Sequence, residues 1–459
     1  MNARRPDNQL LLAFAEASAG EAQPAAAQEV EAFTAAGETE RPVKSVTEMM
    51  EAICNSENMG RAYGQVLANK GAAGVDGMTV HQLRDYLKAH WPGIREQLLG
   101  GTYKPRPVRR VEIPKPDGGV RKLGIPTVLD RLIQQGILQV LTPAWEATFS
   151  THSYGFRPGR RAHQAVAQAQ AYIAEGRAWV VDLDLEKFFD RVNHDRLMAR
   201  LATRVADKRL LRLIRAYLNA GAMENGLVSP TTEGTPQGGP LSPLLSNIVL
   251  DELDQQLEHR GHAFVRYADD CNIYVRSEKA GQRVMKSVSA FITRRLKLKV
   301  NESKSAVDRP SRRKFLGFTI AEGAKPQRRI APKALKRFRE KVRGLTRRTR
   351  GVDAKRMVSD LTVYLRGWGG YFGFCETPWE LRDLDGWIRR RLRAVAWKQW
   401  KRGPTRCRQL MRRGVPRTEA VHAAWWYHSP WRASRTKALN VALPNALWAQ
   451  LGLLRLYRP

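Results

Sequence analysis

Hydrophobic and polar positions change their spacing along the chain near residue 320. Before that point, helical stretches alternate with short runs rich in β-branched and aromatic residues, and glycine or proline bounds each run. This mixture predicts an α+β fold with an antiparallel sheet. The predicted strands cover residues 108–113, 179–185, 264–268 and 271–275.

Beyond residue 330 the apolar positions recur with a helical period. One set falls at i, i+4, i+7, i+8 and i+11, and a second at i, i+3, i+7, i+11 and i+14, while arginines occupy the other faces. We therefore predict helices that each have one buried stripe and a basic exterior. The two stripes are Met357, Leu361, Tyr364, Leu365 and Trp368, then Leu381, Leu384, Ile388, Leu392 and Val395.

These patterns divide the chain into four predicted segments. Residues 1–42 are rich in Ala, Glu and Gln and lack a strong apolar period, so we expect a flexible acidic leader outside the folded core. Residues 43–320 hold the α+β region and residues 321–403 the helical region. Residues 404–459, which begin at Pro404, form a small C-terminal module.

The formal charge of +34 over 459 residues favours a polyanionic partner, of which nucleic acid is the usual one. The charge is unevenly spread. Residues 321–459 carry 33 lysines and arginines against nine acidic residues, whereas residues 1–40 carry two against seven. A membrane surface is the alternative partner, but no amphipathic anchor accompanies the charge. We therefore predict nucleic-acid binding, concentrated in the C-terminal third.

The four cysteines (Cys54, Cys271, Cys375 and Cys407) are scattered, with no CxxC pair and no neighbouring histidine at metal spacing. They indicate ordinary thiols in a reducing compartment. No apolar run approaches the roughly 20 residues that a membrane span needs. The N-terminus lacks the apolar stretch of a secretion signal, so we expect a cytoplasmic protein.

Two segments, residues 180–190 and 266–275, place acidic groups inside or beside apolar strands. A bound divalent cation would compensate the cost of such charges, which is otherwise several kcal/mol. Adjacent Asp269 and Asp270 suit a tight hairpin that projects a carboxylate between two strands. A solvated turn is the ordinary interpretation of an Asp-Asp pair, but here Tyr267 and residues 273–275 surround the turn with apolar strand sequence.

The segment 267–270 (YADD) resembles the signature of reverse transcriptases, and further segments resemble the family's other motifs in the same order. The whole chain from about 43 to 459 is similar to bacterial group II intron reverse transcriptase/maturases. It lacks the paired Cys or His signature of the endonuclease that many members carry, so it resembles the endonuclease-lacking class. The further segments are 74–79 (GVDGMT), 113–126 (IPKPDGGVRKLGIP), 152–159 (HSYGFRPG), 184–190 (DLEKFFD), 234–243 (GTPQGGPLSP), 298–304 (LKVNESK), 315–318 (FLGF) and 364–372 (YLRGWGGYF).

The resemblance implies a right-hand polymerase with antiparallel-sheet palm and fingers, followed by an α-helical thumb or maturase domain. It implies an RNA-directed DNA polymerase that uses dNTPs and two Mg²⁺ ions, with Mn²⁺ as a substitute. The implied partners are the parent intron RNA, an RNA template with its DNA primer, and target DNA. On target DNA the protein would associate with the nucleoid.

The same resemblance assigns the metal site. Asp184 matches the primary ligand of the first catalytic motif, because Phe189 and Asp190 follow it at the family spacing. Asp269 is the second primary ligand, and Asp270 is a looser third. The backbone carbonyl of Leu185 completes the set. Asp182, two residues before Asp184 and so on the same strand face, is either a supporting carboxylate or a charge at a sheet edge.

Five residues are predicted to contact the dNTP. Lys115 and Arg121 flank the turn of a hairpin and can aim at one triphosphate, although template contact is the alternative. Phe189 matches the aromatic that excludes a 2′-hydroxyl, with simple core packing as its alternative. Gln237 lies in a Gly/Pro-rich loop that allows close approach to a nucleotide. Lys304 either protonates the leaving pyrophosphate or makes a plain phosphate contact.

Other cations are predicted to contact nucleic-acid backbones, which positions a protein without reading sequence. Tryptophans interleave with them in the C-terminal third; Trp387, Trp397 and Trp400 could stack on bases, but most helical tryptophans are packing residues. The predicted contacts are Arg109, Arg110, Lys122, Arg347, Arg348, Arg350, Arg389, Arg390 and Arg393.

Two alternatives remain open at the level of sequence. A maturase whose polymerase site has decayed would be an RNA-binding protein only, although the intact carboxylates and the intact Gln-Gly-Gly loop argue against decay. A reverse transcriptase that serves a host task such as repair or defence would keep the chemistry but lose the intron.

Overall fold

The computed structural model describes residues 48–114, 118–224, 227–229, 233–323, 325–426 and 429–457. The predicted leader and the predicted dNTP contact Lys115 lie outside the described residues. The chain forms two compact units, one containing residues up to 165 and 181–307, the other containing 166–180 and 308 onward. Helices mixed with sheets confirm the predicted α+β class, although the first sheet includes one parallel pair, residues 108–109 with 222–223.

The elements up to residue 308 mix helices and strands throughout. In chain order they are α1 (Met49–Cys54), α2 (Ser56–Asn69), α3 (Leu83–Leu99), β1 (Val108–Pro114), β2 (Val120–Ile125), α4 (Val128–Glu146), α5 (Ala162–Ala174), β3 (Trp179–Leu183), α6 (His194–Ala202), α7 (Lys208–Asn219), β4 (Ala222–Glu224), β5 (Leu227–Ser229), α8 (Ser242–His259), β6 (Ala263–Tyr267), β7 (Asp270–Val275), α9 (Glu278–Phe291) and β8 (Ala306–Asp308).

Two four-stranded sheets organise this part of the chain. The first has the order β2-β1-β4-β5, with β1 and β2 antiparallel. The second has the order β6-β7-β3-β8 and carries the two predicted acidic segments. Strands β6 and β7 are buried along nearly their whole length, which explains why their sequences read as continuous apolar runs.

The elements after residue 308 are a short hairpin followed by helices. They are β9 (Phe318–Ala321), β10 (Gln327–Ile330), α10 (Pro332–Leu345), α11 (Ala354–Phe372), α12 (Pro378–Gln399), α13 (Gly403–Met411), α14 (Arg417–Trp426), α15 (Pro430–Ala433), α16 (Lys437–Ala442) and α17 (Asn445–Gln450). Pro404 lies in the first turn of α13, where its missing N–H costs no hydrogen bond.

The predicted apolar stripes form the core of the second unit. Met357, Leu361 and Leu365 of α11 are buried together with Leu381 and Ile388 of α12, which confirms the helical period. Trp397 is fully buried in the same core, and Trp387 and Trp400 pack partly buried against it. These three tryptophans therefore act as packing residues.

Asp385 anchors the C-terminal residues to α12. Its carboxylate accepts the backbone N–H groups of Leu456 (3.0 Å) and Tyr457 (3.1 Å), and the side chain is buried. We expect Asp385→Ala to lower the free energy of unfolding by about 1–3 kcal/mol, because it leaves two amides of the terminal segment without an acceptor. Thermal unfolding together with hydrogen exchange at residues 453–457 would measure this.

Asp383→Ala is the matched control for that change, because Asp383 lies two residues away on the same helix and is exposed. It should leave unfolding and exchange close to wild type. Equal losses in the two variants would show that the effect comes from helix α12 itself rather than from the anchor.

Two general expectations from the sequence also have structural outcomes. No helix of the described residues is both long enough and apolar enough to cross a membrane. All four cysteines are free thiols, as their scattered positions predict.

Candidate active site

The β6–β7 hairpin projects Asp269 from the second sheet. The ladder ends with Tyr267 paired to Asp270, which leaves a loop of only two residues, Ala268 and Asp269. Ala268 has φ of +56°, a conformation that non-glycine residues seldom adopt, and such a positive φ at the first loop position matches the twist of the flanking strands. The tight turn fixes the direction in which the Asp269 carboxylate leaves the sheet.

Asp184 follows directly after β3, and a neighbouring segment fixes its backbone. Its N–H donates to Ser305 Oγ (3.0 Å), and its carbonyl accepts the N–H of Asn301 (2.8 Å). The next residue, Leu185, is buried and bridges to Val300. The predicted motif at 298–304 therefore holds the first catalytic motif in place.

The structure brings the Asp184 and Asp269 carboxylates into one electrostatic site. Burial raises the pKa of the Asp269 carboxyl, and the negative charge of Asp184 raises it further, whereas Arg121 and Arg266 act in the opposite direction. Two carboxylates separated by 85 positions of sequence thus repel one another across the sheet. Such a pair is a good receptor for a cation, because a bound positive charge removes the repulsion.

The structure also describes Asp270, Asp182 and the predicted dNTP contact Lys304. Asp270 is exposed at the start of β7, and the half-buried Asp182 lies on β3. With its side-chain amide oriented to donate, Asn272 lies 3.1 Å from Asp182 Oδ1, which favours a supporting role for that carboxylate. Lys304 Nζ lies 3.6 Å from Asp184 Oδ2.

The donor set fits a hard divalent cation that shares its shell with substrate. Among the described residues, no three Asp, Glu, His or Cys side chains lie close enough together to hold an ion by themselves. Mg²⁺ typically takes one or two carboxylates and completes its octahedron with phosphate and water. The Asp184 and Asp269 carboxylates have the chemistry of such a pair, and the Lys304 ammonium already lies 3.6 Å from Asp184.

A cavity of about 170 Å³ lies between the first sheet and the Gly/Pro-rich loop at 234–243. It brings together residues predicted from separate motifs: Phe189, Gln237, Arg110 and Lys122 all line it. The Gln237 carbonyl accepts the N–H of Gly124 on β2 (2.8 Å), which ties the loop to the strand. A Cβ on Gly238 would come within 2.6 Å of the Gly124 carbonyl, so this close approach requires glycine.

Phe189 belongs to a short 3₁₀ turn, Phe188–Asp190, just after the first catalytic motif. Phe188 is buried and packs edge-on against the Phe189 ring, which is only half-buried. The Phe189 carbonyl accepts the N–H of Thr235 (2.6 Å) from the Gln237 loop. The core-packing role therefore falls to Phe188, and Phe189 presents its ring to the cavity.

The predicted cations of the first unit lie on the β1–β2 hairpin. Arg109 and Arg121 are exposed. Arg110 forms an ion pair with Glu224 (3.3 Å), and Lys122 lies 3.8 Å from Glu112 across the ladder. Exposed pairs of this kind are worth little in stability, so both cations can exchange a carboxylate for a phosphate.

The predicted arginines of the second unit differ in their surroundings. Arg347 and Arg348 are exposed after α10, whereas the Arg350 guanidinium binds Asp360 (2.6 Å). Arg390 lies 3.6 Å above the Trp431 ring and donates to the Trp431 carbonyl.

Arg389 and Arg393 belong to the same helix as Arg390. Arg389 is half-buried. Arg393 is buried and donates to the Leu443 carbonyl (2.9 Å) and to Asn445 Oδ1 (3.0 Å). Its contacts favour a structural role, and we leave it out of the proposed nucleic-acid surface.

Two site residues escaped the reasoning from sequence. Ser305 lies one position beyond the 298–304 motif, and Arg266 precedes the YADD segment as an apparent exposed cation. Arg266 is in fact a fully buried residue of the β6–β7 hairpin. The available signal was an arginine inside an otherwise apolar strand, which requires buried partners.

The chain matches two family models and a curated relative. Residues 113–320 match the family described as reverse transcriptase (RNA-dependent DNA polymerase), and residues 335–414 match the group II intron, maturase-specific domain. The chain is similar to protein YkfC of Escherichia coli strain K12, with 34% identity over 58% of this chain and 80% of that protein.

A second curated protein and a solved structure are also similar to the chain. The group II intron-encoded protein LtrA of Lactococcus lactis subsp. cremoris is 30% identical over 56% of this chain and 54% of LtrA, so the chain spans about half of that relative. A chain of a solved partial Cas6-RT-Cas1–Cas2 complex is 25% identical, with a TM-score of 0.35 over 54% of this chain and 42% of that one.

Proposed function

Because the chain belongs to the family of group II intron reverse transcriptase/maturases, and is thus an RNA-directed DNA polymerase, we propose that it extends DNA primers on RNA at Asp184 and Asp269. The observation that carries this proposal is the electrostatic interaction between the Asp184 and Asp269 carboxylates. A cavity lined by Phe189 and Gln237, two further predicted site residues, also supports it. Family membership supports the reaction, and the geometry supports this choice of residues.

Reverse transcriptases depend on divalent metal ions, and we propose that Asp184, Asp269 and the Leu185 carbonyl hold two Mg²⁺ ions here, with Asp270 as a looser ligand and Mn²⁺ as a substitute. Bound ions would supply the positive charge that activates a 3′-hydroxyl and stabilises the leaving pyrophosphate. Lys304, 3.6 Å from Asp184, can donate a proton or a charge-assisted hydrogen bond to that pyrophosphate.

The remaining residues of the site orient the nucleotide. The positive charge of Arg121 lowers the pKa of Asp269, which supports a role for its guanidinium in binding the triphosphate, and Lys115 of the same sequence motif would join it. The Gln237 loop approaches the nucleotide through its glycines. The Phe189 ring closes the space beside the sugar and selects a deoxyribose.

The direct test of this proposal is incorporation of dNTPs on a primed RNA template with Mg²⁺, with and without a chelator. Extension that the chelator abolishes supports the proposal. Failure on several templates, combined with tight binding of structured RNA, would replace it with the maturase-only alternative. A gene without a surrounding intron would favour a host task, and a surrounding intron would exclude it.

We propose that the second unit binds the parent intron RNA through backbone phosphates and thereby assists splicing. Support comes from the match at 335–414 and from the net positive charge of residues 321–459. The same unit would hold target DNA during mobility, in the bacterial cytoplasm at the nucleoid. Such binding depends on salt, because each neutralised phosphate releases counterions.

Arg347 and Arg348 offer a measurable test of that surface. We expect the double change Arg347→Ala/Arg348→Ala to weaken binding of intron RNA and to reduce the slope of log K against log salt by about 1.5, since each phosphate contact contributes roughly 0.7–0.9. Filter binding or fluorescence anisotropy between low and high salt would give the slope.

Arg350→Ala is the comparison for the double change, because Arg350 is already committed to Asp360 and to the Leu345 carbonyl. Its effect on the slope should be smaller than half of the double change. An unchanged slope in the double variant would remove residues 347–348 from the RNA surface.

A further inference from the structure

Arg266 is a fully buried arginine of β6, three residues before Asp269 on the same hairpin. Its Nε donates to Asp254 Oδ1 (2.7 Å) and its Nη2 to Asp254 Oδ2 (2.5 Å), which makes a bidentate ion pair. Nη2 also donates to Ser153 Oγ (2.7 Å), and Nη1 donates to Asn247 Oδ1 (3.0 Å). One donor of Nη1 remains after these contacts.

That remaining donor reaches the active site. Nη1 donates to the carbonyl of Ala268 (2.9 Å), the residue with positive φ that immediately precedes Asp269. All five N–H groups of the guanidinium are therefore used. The Ala268 carbonyl belongs to the peptide group that joins Ala268 to Asp269. The guanidinium therefore fixes the orientation of this peptide group, and with it the direction in which the Asp269 side chain extends.

The partners of Arg266 come from two further segments. Asn247 and Asp254 lie seven residues apart, on one face of α8. Ser153 belongs to the segment 152–159, to which the sequence motifs assign no function. That segment runs beside β6, where Tyr154 N–H donates to the Arg266 carbonyl and Arg266 N–H donates to the His152 carbonyl (both 2.9 Å).

Gly155 brings this segment against the turn itself. A Cβ at Gly155 would lie 2.2 Å from the Ala268 nitrogen, so only glycine permits the approach. Asn247 closes the arrangement, because its amide donates to the Gly155 carbonyl (2.9 Å) while its oxygen accepts from Arg266. We call these five residues (Ser153, Gly155, Asn247, Asp254 and Arg266) the hairpin clamp.

We infer that Arg266, through the hairpin clamp, is a positioning residue that presets the Asp269 carboxylate for metal binding. An arginine that only stabilised the fold would need no more than its ion pair with Asp254. The Arg266 guanidinium also donates to the Ala268 carbonyl in the turn itself. Lysine cannot replace it, because a single ammonium with three donors cannot span the bidentate pair and the turn together. The inference rests on the proposed function for its role in catalysis.

The test uses two readouts that need no turnover. Hydrogen exchange at residues 267–271 reports the order of the turn, and titration with Mn²⁺ alone, followed by electron paramagnetic resonance, reports metal affinity. We expect Arg266→Lys to speed exchange at these amides and to weaken Mn²⁺ binding about 10-fold or more, the usual effect of losing a group that orients a metal ligand. Primer extension should show kcat lowered about 100-fold with KM for primer-template nearly unchanged, because the reacting geometry is displaced.

Two further variants separate positioning from folding. Arg266→Met/Asp254→Leu replaces the buried ion pair with apolar side chains, a change that proteins often tolerate, and it should keep the fold while reproducing the loss of Mn²⁺ affinity. Arg209→Lys is the control, because Arg209 also forms a bidentate pair (with Glu51) in the same unit. It should leave exchange at 267–271 and Mn²⁺ binding at wild-type levels.

Each outcome decides the inference. Wild-type exchange and Mn²⁺ affinity in Arg266→Lys or in the double variant would overturn it and leave Arg266 a structural residue. Faster exchange with weaker Mn²⁺ binding would support it. If the wild type incorporates no dNTP, the proposed function fails, yet the exchange and Mn²⁺ measurements still decide whether the clamp orders the turn.

Discussion

Asp269→Asn should reduce dNTP incorporation on a primed RNA template by about 10³-fold or more. The amide keeps the shape of the side chain but removes the charge that holds a divalent ion. Metal stabilisation of the transition state is worth several kcal/mol, and about 1.4 kcal/mol corresponds to each tenfold change in rate. Single-turnover extension with saturating Mg²⁺ would measure the loss in the chemical step.

Two further substitutions serve as comparisons for Asp269→Asn. Asp195→Asn removes the same charge from an exposed carboxylate that pairs with Arg215 in the same unit, and it should leave extension close to wild type. The extension rate of Asp270→Asn should fall between those of Asp269→Asn and Asp195→Asn, because Asp270 is exposed and is the proposed looser ligand. Extension by Asp269→Asn at near wild-type rates would exclude this carboxylate from the reaction and with it the proposed site.

Phe189→Val should allow ribonucleotides into the site and lower the preference for dNTPs over rNTPs by about 10²-fold, the size of effect that steric shape in a pocket typically gives. The half-buried ring lines the cavity beside Gln237, and Thr235 fixes its backbone. Removing the ring opens space where a 2′-hydroxyl would otherwise collide. The ratio of kcat/KM for dNTP and rNTP on one template measures the change.

The matched control is Phe189→Tyr, which keeps the ring and should keep the preference for dNTPs. Because Phe188 supplies the buried packing contact at this turn, we expect Phe189→Val to remain folded. If a folded Phe189→Val variant kept the wild-type preference for dNTPs over rNTPs, Phe189 would not select the sugar. Simple packing, the alternative role predicted from the sequence, would then apply.

The sequence by itself determined the fold class and the helical stripes of the second unit, and it predicted the residues of the site. Strand and helix periods depend on which side chains face a core, so alternation and i, i+4 spacing are local properties that a sequence displays directly. The stripe through Met357 and Leu361 is buried for this reason. Acidic groups beside apolar strands drew attention to the segments around Asp184 and Asp269, and the resemblance to reverse transcriptases then predicted these two residues as ligands.

Only the tertiary structure decided which of those residues meet. Nothing in local spacing shows that Asp184 and Asp269 share one electrostatic site, that Gln237 and Phe189 line one cavity, or that Arg393 is buried against Leu443. Arg266 shows the physical reason. A basic side chain looks exposed in sequence, and it can be buried only where a folded chain brings acceptors from distant segments, as Ser153, Asn247 and Asp254 do here.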